Sequence, residues 1–255
     1  MDNAARIRQR VLAVFLPLAA VLYVSAEGLD PRGTDKIIGS VAGGLRELHI
    51  AAMHPGQLYI SGSLSLVALG ALAVAYAAIA TLVRGRSATV ATVAAVIGGV
   101  GAFCGAMVNV LVGVNIAAAA TAHMSRDAAA HFLLTSFNSG FEHVFSGVYF
   151  LGIFVAPVLM GIALWRSRSV PRWLAVLFTV GLEIAQQVPS AGPVLVVCFM
   201  APFAVAMVLL GVRVWQAAAR PASHDLAPAS PGLAPASDVA ARPGSAREET
   251  ASHGR

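Results

Sequence analysis

The sequence predicts an all-α protein, a polytopic bundle of six transmembrane helices followed by a disordered tail. Three observations carry that prediction. Hydrophobic residues make up 58% of the chain and charged ones 11%, against roughly 25% charge in an average soluble domain. The apolar residues are gathered into long runs, and a helix of about 20 such residues crosses a bilayer core. The basic residues, all arginine except Lys36, cluster in short turns between those runs, where the positive-inside rule places them. The net charge of +5 is therefore a matter of topology, and the lipid bilayer, not nucleic acid, is the expected partner.

Taken in order, residues 1–10 form a basic amino-terminal segment with Arg6, Arg8 and Arg10, ahead of a six-helix domain spanning 11–216. The first span is expected at 11–26. Val24-Ser25-Ala26 before Glu27 has the small-residue character of a signal cleavage site, but Pro17 and the multi-span remainder suit a retained anchor better. Charges return from Glu27 to Gly56, where Thr34 is expected to cap a short amphipathic helix reaching Met53. Its apolar side would be Ile37, Ile38, Val41, Leu45 and Leu48, lying on the membrane surface.

The second span, 58–83, ends at Arg84-Gly85-Arg86-Ser87. The third, 88–110, trails on as Ala-rich helix toward His123, and in it Gly101, Gly105, Asn109 and Gly113 recur every four residues. That spacing makes a small-residue groove for a neighbouring backbone. A stretch from Ala128 to Trp165 carries the fourth span, 144–165, and ends at Arg166-Ser167-Arg168-Ser169. The fifth span, 173–188, stops at Pro189-Ser190-Ala191-Gly192-Pro193, since paired prolines and a glycine cannot continue a helix. The sixth, 194–215, carries Pro202 as an expected kink. Residues 217–255 are Ala-, Pro- and Ser-rich and bury too little apolar surface to offset ordering entropy, so a disordered tail is expected. Both Arg-x-Arg-Ser turns follow a charged, histidine-bearing segment and a span, at an offset of 82 residues, which has the form of an internal repeat, although the positive-inside rule and chance account for most of the match.

Placing both termini and both Arg-x-Arg-Ser turns in the cytoplasm leaves only Arg32, Lys36, Arg46 and Arg126 outside. The protein is then a multi-pass plasma (inner) membrane protein with cytoplasmic ends. His49, His54, His123, His131 and His143 all fall on the outer side.

Two polar stripes stand out. On one continuous helix His131, Thr135, Asn138 and Glu142 would lie within about 60° of one another, opposite a phenylalanine-rich face. His131, Asn138, Glu142 and His143 are thus candidates for an outer mouth, and Gly140 could supply the distortion that lets the last two share a pocket. The second stripe is Thr179, Glu183, Gln186 and Gln187. Glu183 lies about 16 Å into a core of about 30 Å, where a carboxylate is expensive and should be paired or protonated. Asn109 is its expected partner on the third span, together with Glu142 and His143.

Catalytic signatures are missing: no C-x-x-C, no phosphate loop, no H-E-x-x-H, and Cys104 and Cys198 sit singly in apolar runs. No catalytic residue, metal or cofactor is assigned. The basic amino terminus, the acidic segment with His54-Pro55, the six spans and the Arg-rich turns together resemble the uncharacterised actinobacterial membrane proteins grouped as DUF4386-like, over residues 5–216. The resemblance implies a six-helix membrane fold and supplies no activity or site residues. The expected role is a non-enzymatic small-solute or ion transporter or sensor. The alternatives are an intramembrane enzyme acting on a lipid-like substrate, with Glu183 or Glu142 as general acid, and a structural subunit of a membrane complex; a homo-oligomer is also open.

Overall fold

In the computed structural model of the protein, residues 3–32, 38–122, 124–186 and 193–219 are described, and among them every regular element is helical. The order is α1 (Asn3–Leu29), α2 (Val41–Met53), α3 (Pro55–Ala80), α4 (Ala88–Thr121), α5 (Arg126–Phe137), α6 (Gly140–Phe150), α7 (Ala156–Ser167), α8 (Arg172–Gln186) and α9 (Pro193–Ala219). A π-helical turn, Leu151–Val155, joins α6 to α7 in one rod.

Five segments are long and apolar enough to cross a membrane: Asn3–Leu29, Pro55–Ala80, Gly85–Thr121, Gly140–Ser167 and Leu195–Ala219. The chain is thus built as an integral membrane protein. The sixth expected span, 173–188, corresponds to α8, whose 15 residues reach about 22 Å at 1.5 Å each. By length α8 does not qualify.

Several boundaries move. Helix α1 begins at Asn3, so Arg6, Arg8 and Arg10 ride on the helix and are not a separate segment. Helix α9 continues to Ala219, three residues into the stretch expected to be tail, because Gln216 to Ala219 are good helix formers; 220–255 lie outside the described residues. The surface helix starts at Val41, where Ser40 accepts a hydrogen bond from the Gly43 amide at 3.1 Å; Thr34 and Ile37 lie outside the described residues. Its buried positions are Gly44 and Glu47. It packs on α5, with Gly44 against the Ala130 backbone.

Large apolar side chains line the outward faces of the helices, and small ones fill many of the contacts between them. Ile7, Val11, Val14, Leu18 and Val21 form an exposed stripe on α1, as do Val205, Val208, Val212 and Trp215 on α9. Between helices lie Ala13, Ala20, Ala68, Ala71, Ala75, Ala91 and Ala94, all buried. In water such stripes would be an aggregation hazard; in lipid they cost nothing, and small residues let helix backbones close up.

Arg10 stacks over Trp215 at 5.4 Å, and Tyr23 meets Phe203 edge-on. Helices α1 and α9 therefore run antiparallel, with the start of one beside the end of the other. Arg172 over Trp165 and Thr179 against Gly161 likewise set α8 antiparallel to α7, and Gly181 against Phe203 packs α8 on α9. Trp165, Trp173 and Trp215 are all exposed near this arginine end, as interfacial tryptophans are. The large core joins α1, α3, α4, α7, α8 and α9. A smaller one, built on Ile38, Val112, Ile116, Ala119, Ala129 and Leu133, lies under the α2–α5 cap at the other end. The seam between these cores holds the polar site.

Candidate functional site

Helix α1 carries its apolar run past Tyr23 to Glu27 and then stops at a turn, Asp30-Pro31-Arg32. Proline cannot extend the helix, and the turn lets Asp30 grip Arg32. The Asp30 carboxylate accepts from the Arg32 amide at 2.9 Å, from Nε at 3.0 Å and from Nη2 at 2.8 Å. Such a fork-on-carboxylate pair is the strong form of a salt bridge, and here both side chains are under a tenth exposed. Arg46 on α2 donates to the Arg32 carbonyl at 3.0 Å. Burial alone would lower the Arg32 guanidinium, but its hydrogen bond to Asp30 and the charges of Asp30, Glu47 and Glu27 outweigh burial and hold it above the ordinary arginine range.

Across from this cluster the chain breaks between α5 and α6. Asn138 ends α5, its amide and its Nδ2 both donating to the Leu134 carbonyl. Ser139 then caps α6, accepting from the Glu142 amide at 3.4 Å, while its carbonyl meets His143 Nδ1 at 3.0 Å. The stripe expected from His131 to Glu142 is therefore not one helical face. The physical reason is local: Asn138 and Ser139 side chains offer the backbone better partners than helix continuation does. The break turns Glu142 inward to 6% exposure and leaves His143 exposed. The Glu142 carboxylate makes no hydrogen bond among the described residues.

Between these two features lies a cavity of about 550 Å³. Helix α1 contributes Tyr23 and Glu27, the turn contributes Arg32, α4 contributes Asn109, and the α5–α6 break contributes Phe137, Asn138, Glu142 and His143, with Tyr149 and Phe150 below. Tyr149 pairs with Tyr23 and sits in the field of Glu27. Asn109 Nδ2 donates to Ser65 Oγ at 3.1 Å, tying α4 to α3 at the cavity wall.

Of the residues the sequence singled out, Asn109, Asn138, Glu142 and His143 thus come together. His131 is exposed on α5 and does not line the cavity. Thr179 donates to the Ala175 carbonyl at 3.1 Å and the Pro157 carbonyl at 3.3 Å, a packing contact between α8 and α7. Glu183 faces inward in a different place. Its Oε1 and the Tyr76 hydroxyl are buried without hydrogen-bond partners among the described residues, and each lies within electrostatic reach of the other. Glu183 does not join Asn109, Glu142 and His143, because α8 packs on α7 and α9 and not on the cap. The Gln186 side chain and all of Gln187 lie outside the described residues. Among the described residues no three His, Cys, Asp or Glu side chains are placed to hold a metal ion.

Sequence reasoning missed Tyr23, Glu27, Arg32 and Tyr149 as site residues. The available signal was the run of charges starting immediately after the first apolar stretch, with Asp30 and Arg32 close enough to pair. No protein-family model, curated protein or solved structure matches the chain.

Proposed function

We propose that the protein is a six-span plasma-membrane protein with both termini cytoplasmic, whose external cavity binds a small organic cation in the manner of a transporter or sensor. The observation that carries this reading is Glu142, a carboxylate turned into a cavity walled by Tyr23, Phe137, Tyr149 and Phe150. Among the described residues around the cavity, Glu27, Asp30, Glu47 and Glu142 outnumber Arg32 and Arg46, and Arg32 is already held by Asp30. An anion would meet two carboxylates on the lining and a guanidinium engaged elsewhere. An ammonium group would meet a carboxylate and aromatic faces, worth about 2 kcal/mol when desolvated.

The sixth span is α8, a reading supported by its antiparallel setting against α7, its packing on α9 and the Arg10–Trp215 contact between the start of α1 and the end of α9. The arginine-rich turns at that end support a cytoplasmic placement. Membership of the DUF4386-like group is part of the same proposal and rests on sequence pattern.

Calorimetry on the protein in nanodiscs, with tetramethylammonium as the probe, tests the reading. Wild type should bind it, Glu142→Gln should weaken binding at least tenfold, and sulfate should not bind. Equal affinity in the variant, or preference for sulfate, would overturn the proposal. Uptake of the labelled probe into proteoliposomes separates a transporter from a sensor.

A further inference from the structure

A second hollow, of about 500 Å³, runs along the flank of the bundle between α3 and α4 in the half nearest the cap. Its walls are apolar and small: Leu58, Gly62 and Leu66 on α3, and Gly113, Val114 and Ala117 on α4. Leu66 and Val114 are exposed there, at the level of the membrane-crossing helices. Asn109 lines both this groove and the polar cavity, so the two hollows adjoin at its side chain, which donates to Ser65 Oγ. The cavity offers carboxylates and aromatic rings; the groove offers a greasy slot about 17 Å long from Pro55 to Leu66 at 1.5 Å per residue.

We infer that the cavity and the groove are two halves of one site for an ammonium-headed amphiphile drawn from the surrounding bilayer, its head beside Glu142 and its alkyl chain between α3 and α4. The inference rests on the reading of the cavity as an ammonium site and adds the chain subsite. Juxtaposition through Asn109 is what argues for a single ligand: a hydrocarbon chain has no use for the carboxylates, and a compact cation has none for the groove. The glycines are placed to keep the slot open, since a Cβ at Gly62 or at Gly113 would meet nothing within 4 Å. A larger side chain at either position fills the groove and leaves the helix contacts intact.

The test compares tetramethylammonium with octyltrimethylammonium on the protein in phosphatidylglycerol nanodiscs, with partition into protein-free discs subtracted. Wild type should bind the octyl compound at least tenfold more tightly. Gly113→Leu and Gly62→Leu should each abolish that gain while holding tetramethylammonium affinity within twofold of wild type, which also certifies the fold. Adding phosphatidylethanolamine to the discs should displace the octyl probe. If both compounds bind equally to wild type, or if the gain survives both leucine variants, the chain subsite is wrong and the cation reading stands. If neither compound binds, the cation reading fails and takes this inference with it. If phosphatidylethanolamine does not compete, the bilayer is not the source and the inference fails in that respect.

Discussion

Asp30 and Arg32 show how two residues of turn can fix a site. The pair is buried on both sides, so removing one partner strips the other of its nearest counter-charge, a loss of up to about 3–5 kcal/mol for a buried pair. Asp30→Asn should therefore lower the thermal unfolding midpoint in detergent sharply, and Asp30→Asn with Arg32→Met should recover much of the loss, because two neutral groups carry no desolvation penalty. Since Arg32 is held above its ordinary range, its contribution is fully present below the unfolded value and is lost only as pH rises through the higher folded one. Nothing near neutral pH should remove it. The Glu183 neighbourhood behaves oppositely. The Tyr76 hydroxyl is buried without a partner among the described residues, so Tyr76→Phe keeps the edge-on contact with Phe178 at 6.3 Å and removes only a desolvated group. It should be neutral or stabilising by up to about 1 kcal/mol, and Glu183→Gln should act in the same direction; a clear drop in unfolding temperature for Tyr76→Phe would mean the hydroxyl is satisfied.

At the scale of elements, the four-residue repeat on α4 separates into different roles. A Cβ at Gly101 would run into the Gly152 backbone in the π-helical turn, and one at Gly105 into the Tyr149 ring, while Gly113 faces open space. Gly101→Ala should thus destabilise by about 1–3 kcal/mol through overpacking, and Gly113→Ala should be neutral or slightly stabilising through helix propensity; equal unfolding temperatures would refute this division. The contrast marks what was legible. Spacing in sequence reveals that Gly101, Gly105, Asn109 and Gly113 share a face, because the period of a helix is local. Which of them meets a backbone depends on where α6 and α3 lie, and that is not local. The long apolar helices and their arginine turns were readable for the same reason, as were Asn109 as a polar group inside the small-residue face of α4 and Glu142 and His143 as polar groups at a helix end. The break at Asn138 and Ser139 was not, since either residue can sit in a helix or end one. Nor was Glu27 as a lining residue, because its role comes from the end of α1 facing α6 across the cavity, where Tyr23 pairs with Tyr149, far away in the chain.

For the whole molecule, the decisive question is how often the chain crosses the bilayer. Five segments suffice by length, which would put the two ends on opposite sides. Yet Arg10 stacks on Trp215, and a cation–π contact between the start of α1 and the end of α9 requires the ends to share a side. In the six-span arrangement we propose, α8 crosses as well, which reconciles the two despite its 15 residues. Short spans are tolerated where the bilayer thins or flanking residues reach to the interface, and Arg172 and Trp173 at the start of α8 are suited to that. The element order is consistent with it: a cap helix, a long rod, an Arg-x-Arg-Ser turn and a returning helix occur as α2–α3–α4 and again as α5 to α8. Alkaline phosphatase, active only outside the cytoplasm, reads the topology directly. Fusions after Ser87, Ser169 and Ala219 should be inactive and one after Ser125 active. Activity at Ala219 with inactivity at Ser169 would leave α8 lying in one leaflet, and the shared-side geometry of Arg10 and Trp215 would then be untenable.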